Sequence, residues 1–462
     1  MKITRRDFVG AASFAAAGCI CGCASNSGVT PDAAPPTILR KAAFRRPGAR
    51  LRMGFVGVGG RGGANLREFL ALGEEVTAIC DVDAGRLAAA AKLVESRFPK
   101  ARRYQDWRMM LERETDLDAV VISTPDHMHC ACAVAAMQRG CHVYVEKPLV
   151  RTWWEAERFR EVAQACGVVT QMGNNGNGMD WQRRGVEVLQ SGLLGDVGEI
   201  YVTTDRPIWP QGIVRPAGAD PVPPSLDWNL WLGVAPKRPY RKGVYHAFNW
   251  RGWFDFGTGA LGDIGCHAMS LFWRGLDLRE TLSVETVAST DKFAETFPKA
   301  TTVKLVVRSG RQSAPVTIYW YDGKSSPDPE TCRRITGGKR DSIGGGTTVV
   351  VGAKGTWMNQ AIMMAGEEKF VRQQDHAAAR EIAQSIPRVK GHHWEFAEAV
   401  RGQLRAFSDI DHSVPLTEAV LLGCISQRVP GRLEWNQAEG RFSNSEEANA
   451  LLYPHVRAGW EI

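Results

Sequence analysis

The sequence of 462 residues predicts an α/β chain: a doubly wound parallel sheet, followed by an α+β domain with a large open antiparallel sheet. Three observations predict this. Short apolar runs alternate with amphipathic ones from Leu51 to Met172, and strands separated by helices of that length pair in parallel. A glycine-rich turn, Gly57-Val58-Gly59-Gly60-Arg61-Gly62, joins the first strand to the first helix. After Met172 the alternation gives way to strand-like segments with long polar or proline-rich connections, the pattern of an antiparallel sheet with helices on one face.

In the first part, strands are expected at Leu51–Val56, Glu75–Cys80, Ala119–Ser123, His142–Val145 and Val168–Met172. Helices are expected at Gly62–Leu72, Ala84–Phe98, Asp106–Arg113, Met128–Arg139 and Trp153–Cys166. Beyond the loop at Asn174–Gly178 and one helix ending near Gly192, strands are expected at Glu199–Thr204, Thr301–Val307, Pro315–Tyr321 and Thr347–Val351. A hairpin turn is expected over Val351–Thr356. Helices are expected near Gly259–Arg274, His393–Arg401 and Leu416–Arg428, and Leu433–Ile462 reads as an extended tail. The resulting division is 1–30 targeting segment, 31–50 linker, 51–174 first domain and 175–462 second domain.

The formal charge of +7 is carried wholly by residues 1–52, which hold nine basic and two acidic residues. The body is therefore neutral and has no net field for a phosphate backbone, so nucleic acid is not an expected partner. The N-terminus carries the twin-arginine pattern Thr4-Arg5-Arg6-Asp7-Phe8, then an apolar, alanine-rich run from Val9 to Ile20. That run is far below the roughly 20 residues of a spanning helix. Ile20-Cys21-Gly22-Cys23 resembles a lipobox with Cys23 as the lipid-bearing candidate, and Cys19 is a second candidate. The expected location is thus outside the cytoplasm, periplasmic or membrane-anchored through a lipid alone. The eight later cysteines show no Cys-x-x-Cys pair and no zinc spacing, and do not form a disulfide framework.

Gly57, Gly59 and Gly62 follow G-x-G-x-x-G between a strand and a helix. Gly57 allows the turn, Gly59 lets a pyrophosphate approach the backbone, and Gly62 lets helix and strand pack closely. Gly60 and Arg61 complete the loop, whose free amides at a helix N-terminus suit a pyrophosphate. Asp81 ends the second strand, where a carboxylate accepts from a ribose diol and repels a 2′-phosphate. This favours NAD over NADP, although the neighbouring Arg86 weakens the preference. The first domain is accordingly read as a Rossmann fold.

Ser123-Thr124-Pro125-Asp126-His127-Met128-His129 lies at the carboxyl edge of the sheet, where ligands bind. Glu146-Lys147-Pro148 ends another strand at the same edge, which turns Lys147 towards that crevice. In the second domain Asp263 and His267 are four residues apart and share one helical face. A capping aspartate and a core histidine would give the same spacing; the small residues before them favour a site. No third ligand fixes a metal, so none is expected. Trp209, Trp228, Trp231, Trp250, Trp253 and Trp273 fall close together, and core filling is the ordinary reason for each. Arg206, Trp209, His246, Arg251 and Trp253 are the candidates for contact with a sugar.

With these segments in this order, the chain from about Leu51 onward resembles the Gfo/Idh/MocA family of glucose–fructose oxidoreductase and inositol dehydrogenase relatives. The resemblance rests on the glycine turn, Asp81, Thr124-Pro125-x-x-x-His129, Glu146-Lys147-Pro148 and Asp263-x-x-x-His267. Asp205–Pro210 and Asn249–Trp253 are similar to an exported bacterial branch. The resemblance implies an NAD-dependent enzyme in which His267 takes a proton from a sugar hydroxyl, Lys147 binds the same oxygen, and Asp263 binds a neighbouring hydroxyl or holds His267. Thr124, Pro125, His129, Glu146 and Lys147 would lie along the cofactor. It further implies pairing of subunits through the open sheet as a dimer or tetramer.

Outside the cytoplasm no pool of free NAD is maintained, so an exported enzyme would keep its cofactor and recycle it internally. The leading expectation is therefore an oxidoreductase acting on a sugar, polyol or glycoside hydroxyl. The alternative is NAD-dependent glycoside cleavage by transient C3 oxidation, elimination and re-reduction. The third is a non-catalytic sugar-binding lipoprotein.

Overall fold

The computed structural model describes residues 36–461. The twin-arginine pair, Cys19 and Cys23 lie outside the described residues.

Six strands form the first sheet: β1 (Arg52–Val56), β2 (Glu75–Cys80), β3 (Arg102–Tyr104), β4 (Ala119–Ile122), β5 (His142–Val145) and β6 (Thr170–Met172). Their order is β3-β2-β1-β4-β5-β6 and every pair is parallel. Helices cover both faces, so β1, β4 and β5 are apolar except at Arg52 and His142 and buried at nearly every position. The chain reverses direction of travel across the sheet between β1 and β4, and the crevice at their carboxyl ends is the ligand position of such a sheet. β3 is three residues, two of them exposed arginines, and carries too little apolar signal to be read as a strand.

The second sheet has ten strands: β7 (Val197–Thr203), β8 (Leu278–Ser289), β9 (Thr301–Ser309), β10 (Val316–Tyr321), β11 (Thr348–Gly352), β12 (Gly355–Met358), β13 (Ala361–Met364), β14 (Val371–Arg372), β15 (Leu433–Asn436) and β16 (Arg441–Phe442). Their order is β14-β13-β12-β11-β7-β10-β9-β8-β15-β16. The sheet is mixed rather than wholly antiparallel, because β7 and β10 pair in parallel across a long crossover. The expected turn over Val351–Thr356 joins β11 to β12 as an antiparallel hairpin. The β8 strand, the longest, was not expected: Glu280, Glu285, Thr286 and Ser289 break its apolar pattern.

The expected helix over Gly259–Arg274 is two, Gly259–Ala268 and Ser270–Gly275. The long helix near the C-terminus begins earlier than expected and spans Ile410–Ser426, with Pro415 inside its first turns. The tail is not extended: it holds the β15–β16 hairpin and the Glu446–Ala450 helix, capped by Ser445. The segment preceding Leu51, expected as a linker, lies on the body. Leu39 and Arg40 donate backbone bonds to the Gln138 carbonyl, and the Arg40 guanidinium donates to the Arg139, Thr115 and Leu117 carbonyls. All eight cysteines among the described residues are buried and free.

Candidate active site

The first β–α turn is shaped by steric necessity. Gly57 has φ +77°, and a Cβ there would lie 2.7 Å from the Ser123 carbonyl oxygen. A Cβ at Gly62 would run into the Gly57 carbonyl oxygen, so the helix beginning at Gly60 packs on the turn only with glycine there. The carboxylate of Asp81 ties this turn to β2. Its Oδ2 accepts from the Val58 and Gly59 amides at 3.0 and 3.2 Å, and its Oδ1 accepts from the Asp83 amide at 3.0 Å. Burial raises the Asp81 pKa, and these amides counter the rise only in part. Arg86 reaches over Gly59, at the same end of the crevice.

A cleft of about 580 Å³ runs from this turn to the second domain. Gly57, Gly59, Gly60, Arg61, Asp81, Thr124, Pro125, Glu146 and Lys147 all line it, as the sequence predicts. Gly62 does not, consistent with a packing role. His129 does not either: its Nδ1 and Nε2 lie 2.8 and 2.9 Å from the Pro148 and Thr124 carbonyl oxygens. Its ring is wedged between the two strand ends, outside the cleft lining, which makes it a positioning residue instead of a cofactor contact. Glu146 Oε1 accepts from Arg61 Nε at 3.0 Å and from Asn65 Nδ2 at 2.8 Å, fastening the glycine turn to β5.

At the far end, Lys147 Nζ donates to Asp263 Oδ1 and to the Asp263 carbonyl oxygen, both at 2.7 Å. Arg251 Nε donates to the same Oδ1 at 3.0 Å. Burial pushes the Asp263 carboxyl up, but the Lys147 and Arg251 charges outweigh it and hold its pKa below the usual range. Asp263 makes no hydrogen bond with His267, so its role is to hold the two cations and not the imidazole. His267, one helical turn on, lines the cleft and has no hydrogen-bond partner among the described residues. Burial, with the Lys147 charge, pushes its pKa down to about 3, and the Asp263 charge offsets this only partly. The ring is therefore neutral across the working range.

Of the five residues expected to meet a sugar, Arg206, Trp209 and Arg251 line the cleft near this end. The Arg251 guanidinium lies 4.3 Å from the Trp250 ring and 4.5 Å from the Phe248 ring. Trp253 is a correction: it is fully buried in an aromatic core with Tyr245 and Phe256, and its Nε1 donates to the Val244 carbonyl. His246 is a second correction. It lines the cleft but stands 4.0 Å from Asp83, at the β2 end, because the 223–246 segment folds back over the first domain. There the Ala84 amide donates to the Ser225 carbonyl and the Asp227 amide to the Val82 carbonyl.

Sequence reasoning missed Asp126 as a member of the site. It is buried in the cleft wall; Oδ2 accepts from the Thr258 hydroxyl at 2.7 Å, and burial pushes its pKa up to about 6. Its place directly after Thr124-Pro125 at a strand's carboxyl end was the available signal. Leu230 and Trp231, which close the cleft from above, carried none, since only long-range folding brings them there.

The cleft fits a dinucleotide. The Gly60 and Arg61 amides at the start of the helix have no backbone partner among the described residues, and Thr124 Oγ1 is buried in the wall with no hydrogen-bond partner. Among the described residues no cluster of side chains is suited to a metal ion.

Two family models match the chain: an oxidoreductase-family NAD-binding Rossmann fold over residues 51–174, and an oxidoreductase-family C-terminal alpha/beta domain over residues 187–295. A glycosyl hydrolase family 109 protein of Shewanella pealeana is 31% identical over 207 residues, 43% of this chain and 45% of that protein. An alpha-N-acetylgalactosaminidase of Shewanella oneidensis is 29% identical over 205 residues, 42% of this chain and 44% of that protein. The matched part of the chain thus spans a little under half the length of these curated relatives. In fold, the chain is similar to an inositol dehydrogenase homolog of Azotobacter vinelandii solved with NADH and myo-inositol, with TM-score 0.55, 18% identity, and 86% of this chain and 99% of that one covered. With its Rossmann half and the first part of its second domain matched in order, the chain belongs to the Gfo/Idh/MocA family of NAD-binding oxidoreductases.

Proposed function

We propose that the protein is an NAD-dependent oxidoreductase that acts on a hydroxyl of a sugar, polyol or glycoside and keeps its cofactor through the cycle. The observation that carries this is the convergence of Lys147, from the end of β5, and His267, from the second domain, on the far end of a cleft that begins at the glycine turn. NAD bound there supplies a two-electron hydride acceptor. Gly60 and Arg61 offer it backbone amides at the start of the helix, and Thr124 and Asp81 offer polar side chains. His267, neutral, accepts the proton of a hydroxyl placed between it and Lys147. Lys147 donates a hydrogen bond to the same oxygen and stabilises the negative charge that grows on it. Asp263 keeps that ammonium in place, and Arg251, stacked among Trp209, Phe248 and Trp250, offers hydrogen bonds to neighbouring hydroxyls.

The names of the curated relatives favour a second reading, glycoside cleavage by the same residues. A carbonyl formed transiently at C3 of a glycoside acidifies the C2 proton. Lys147 bonded to that carbonyl oxygen would increase the acidity; a base takes the C2 proton, the aglycone leaves C1 and takes up a proton, and water adds across the C1=C2 double bond before the C3 hydroxyl is restored. The second-domain segment docked on Val82 and Ala84 covers the β2 end of the cleft and supports retention of the cofactor. The N-terminal pattern supports export by the twin-arginine route with a lipid at Cys23, and a homodimer or tetramer paired through the large sheet is part of the same proposal.

Purification without added cofactor, followed by denaturation, tests the retention: about one released NAD(H) per chain is expected, and an empty protein that consumes added NAD stoichiometrically overturns it. Release of aglycone from chromogenic glycosides decides between the readings. Under the second it vanishes in both Lys147→Ala and His267→Ala; release that persists in both excludes the nicotinamide route.

A further inference from the structure

We propose that the protein carries a second ligand site, behind the helix that bears Asp263 and His267, for a small molecule with a phosphate or carboxylate group on an apolar body. Two cavities of about 230 and 200 Å³ adjoin there and share Phe254, Arg428 and Leu451 in their walls. Phe297, Trp153 and Tyr453 add an aromatic lining to the larger one. Neither cavity shares a residue with the cleft of the active site.

The charges in this place are unbalanced. The Arg428 guanidinium lies 4.2 Å over the Phe254 ring, and its side chain makes no hydrogen bond or ion pair among the described residues. Burial, with the nearby Arg151 charge, lowers its pKa, so the surroundings disfavour the cation as they stand. Arg151 donates from Nη1 to the Phe254 carbonyl at 3.0 Å, but its Nε is buried without a partner. The adjacent carboxylates Asp255 and Glu447 favour this charge but do not outweigh burial and Arg151. Asp255 is held by Arg238, and Glu447 is exposed on the outer wall of the smaller cavity, which Lys292 also lines. Two guanidiniums partly withdrawn from water, and only partly offset by Asp255, Glu447 and Glu155, are costly, and an oxyanion between them would complete the compensation. A guanidinium stacked on a ring keeps its N–H edge free, and that edge matches the paired oxygens of a carboxylate or phosphate. The aromatic wall then covers the apolar remainder of the ligand.

The inner wall leads towards the active site. It includes Gly257 and Thr258, which precede the Gly259–Ala268 helix; Cys424 Sγ donates to the Thr258 carbonyl at 3.3 Å, and the Thr258 hydroxyl donates to Asp126. The inference does not rest on the proposed reaction, and its test reads binding alone.

Phenyl phosphate and benzoate are titrated by calorimetry into the protein saturated with NAD, which keeps either probe out of the glycine turn. At least one of them is expected to bind one per chain, and which one does so identifies the preferred oxyanion. Arg428→Gln and Arg151→Gln should each weaken that binding at least about tenfold, the loss of one charge-assisted contact. Arg428→Gln should melt no lower than the wild type without probe, because its side chain holds no structural bond. Equal binding by the wild type and both variants overturns the proposal, as does absence of wild-type binding by either probe at about 10 mM.

Discussion

The two ends of the cleft are built in different ways. At the glycine turn the ligand surface is main chain: Gly57 and Gly62 are there because a Cβ has no room, and Asp81 anchors the turn through amides 22 and 23 residues away in sequence. At the other end the surface is side chains, and its central pair, Lys147 and Asp263, is 116 residues apart. The first end depends on one local shape, and the second is assembled only when the two halves of the chain dock; under the proposed function the first serves binding and the second turnover.

Substitutions that separate binding from turnover test this division. Gly62→Val should have the largest effect, because its side chain meets the Gly57 carbonyl, a main-chain atom that cannot step aside. Loss of more than about 3 kcal/mol of stability is expected, with no NAD(H) released on denaturation. Lys147→Ala should do the opposite. It removes the donor to the reacting oxygen and lowers kcat roughly 10²–10³-fold, while the released NAD(H) stays near the wild-type amount. An emptied Lys147→Ala protein would mean that the ammonium holds the cofactor and that the two ends are not separate in function. Asp263→Asn should fall between, lowering kcat about 10–100-fold. It keeps the shape but leaves Lys147 and Arg251 facing each other without a counter-charge. Its Tm should drop as well, which distinguishes it from Lys147→Ala, where Asp263 retains Arg251.

The same difference explains what the sequence made legible. β1, β2, β4 and β5 write themselves as largely apolar runs, and the glycine spacing between β1 and the first helix is local, so the Rossmann half from Leu51 to Met172 is readable except for β3. Lys147 and His267 were readable as candidates, since each ends a strand or opens a helix beside small residues. Their partners were not. Nothing near Asp263 says that its carboxylate turns to Lys147 instead of His267, one helical turn away. His129 and Trp253 look like site residues by position; a pair of carbonyl oxygens claims the first and an aromatic core the second. His246 stands at the other end because 223–246 folds back onto Val82 and Ala84 through two backbone hydrogen bonds and apolar packing of Val82 on its aromatic cluster, contacts between segments far apart in sequence.

Acid titration probes the two ends with the smallest perturbation. His267 at the turnover end is pushed down to about 3, and His393, which bonds Asn65 beside the glycine turn, to about 4, both mainly by burial. His127 and His392 are each lowered to about 3, again by burial first. In the unfolded chain such rings take up protons near pH 6.5. Between that value and 3–4 the unfolded state holds more protons, so the stability these rings contribute is full above pH 6.5 and is lost as pH falls towards 3. Asp126, raised to about 6, and Asp322, raised to about 7, work the other way: folded, they take up protons from pH 7 downward, which favours the native state on acidification. His142, His246 and His412 are lowered as well, and Glu418 is raised well above the usual carboxyl range, so seven rings against three strongly raised carboxyls should leave a Tm that falls from pH 7 to pH 5 in differential scanning calorimetry. Activity should behave differently. A His267 that stays neutral gives no acid limb above about pH 4, so a limb near 6.5 that vanishes only in His267→Gln would contradict its burial. A limb near 6 that moves in Asp126→Asn belongs to that carboxyl, and would place proton traffic in the wall between Thr258 and Lys147.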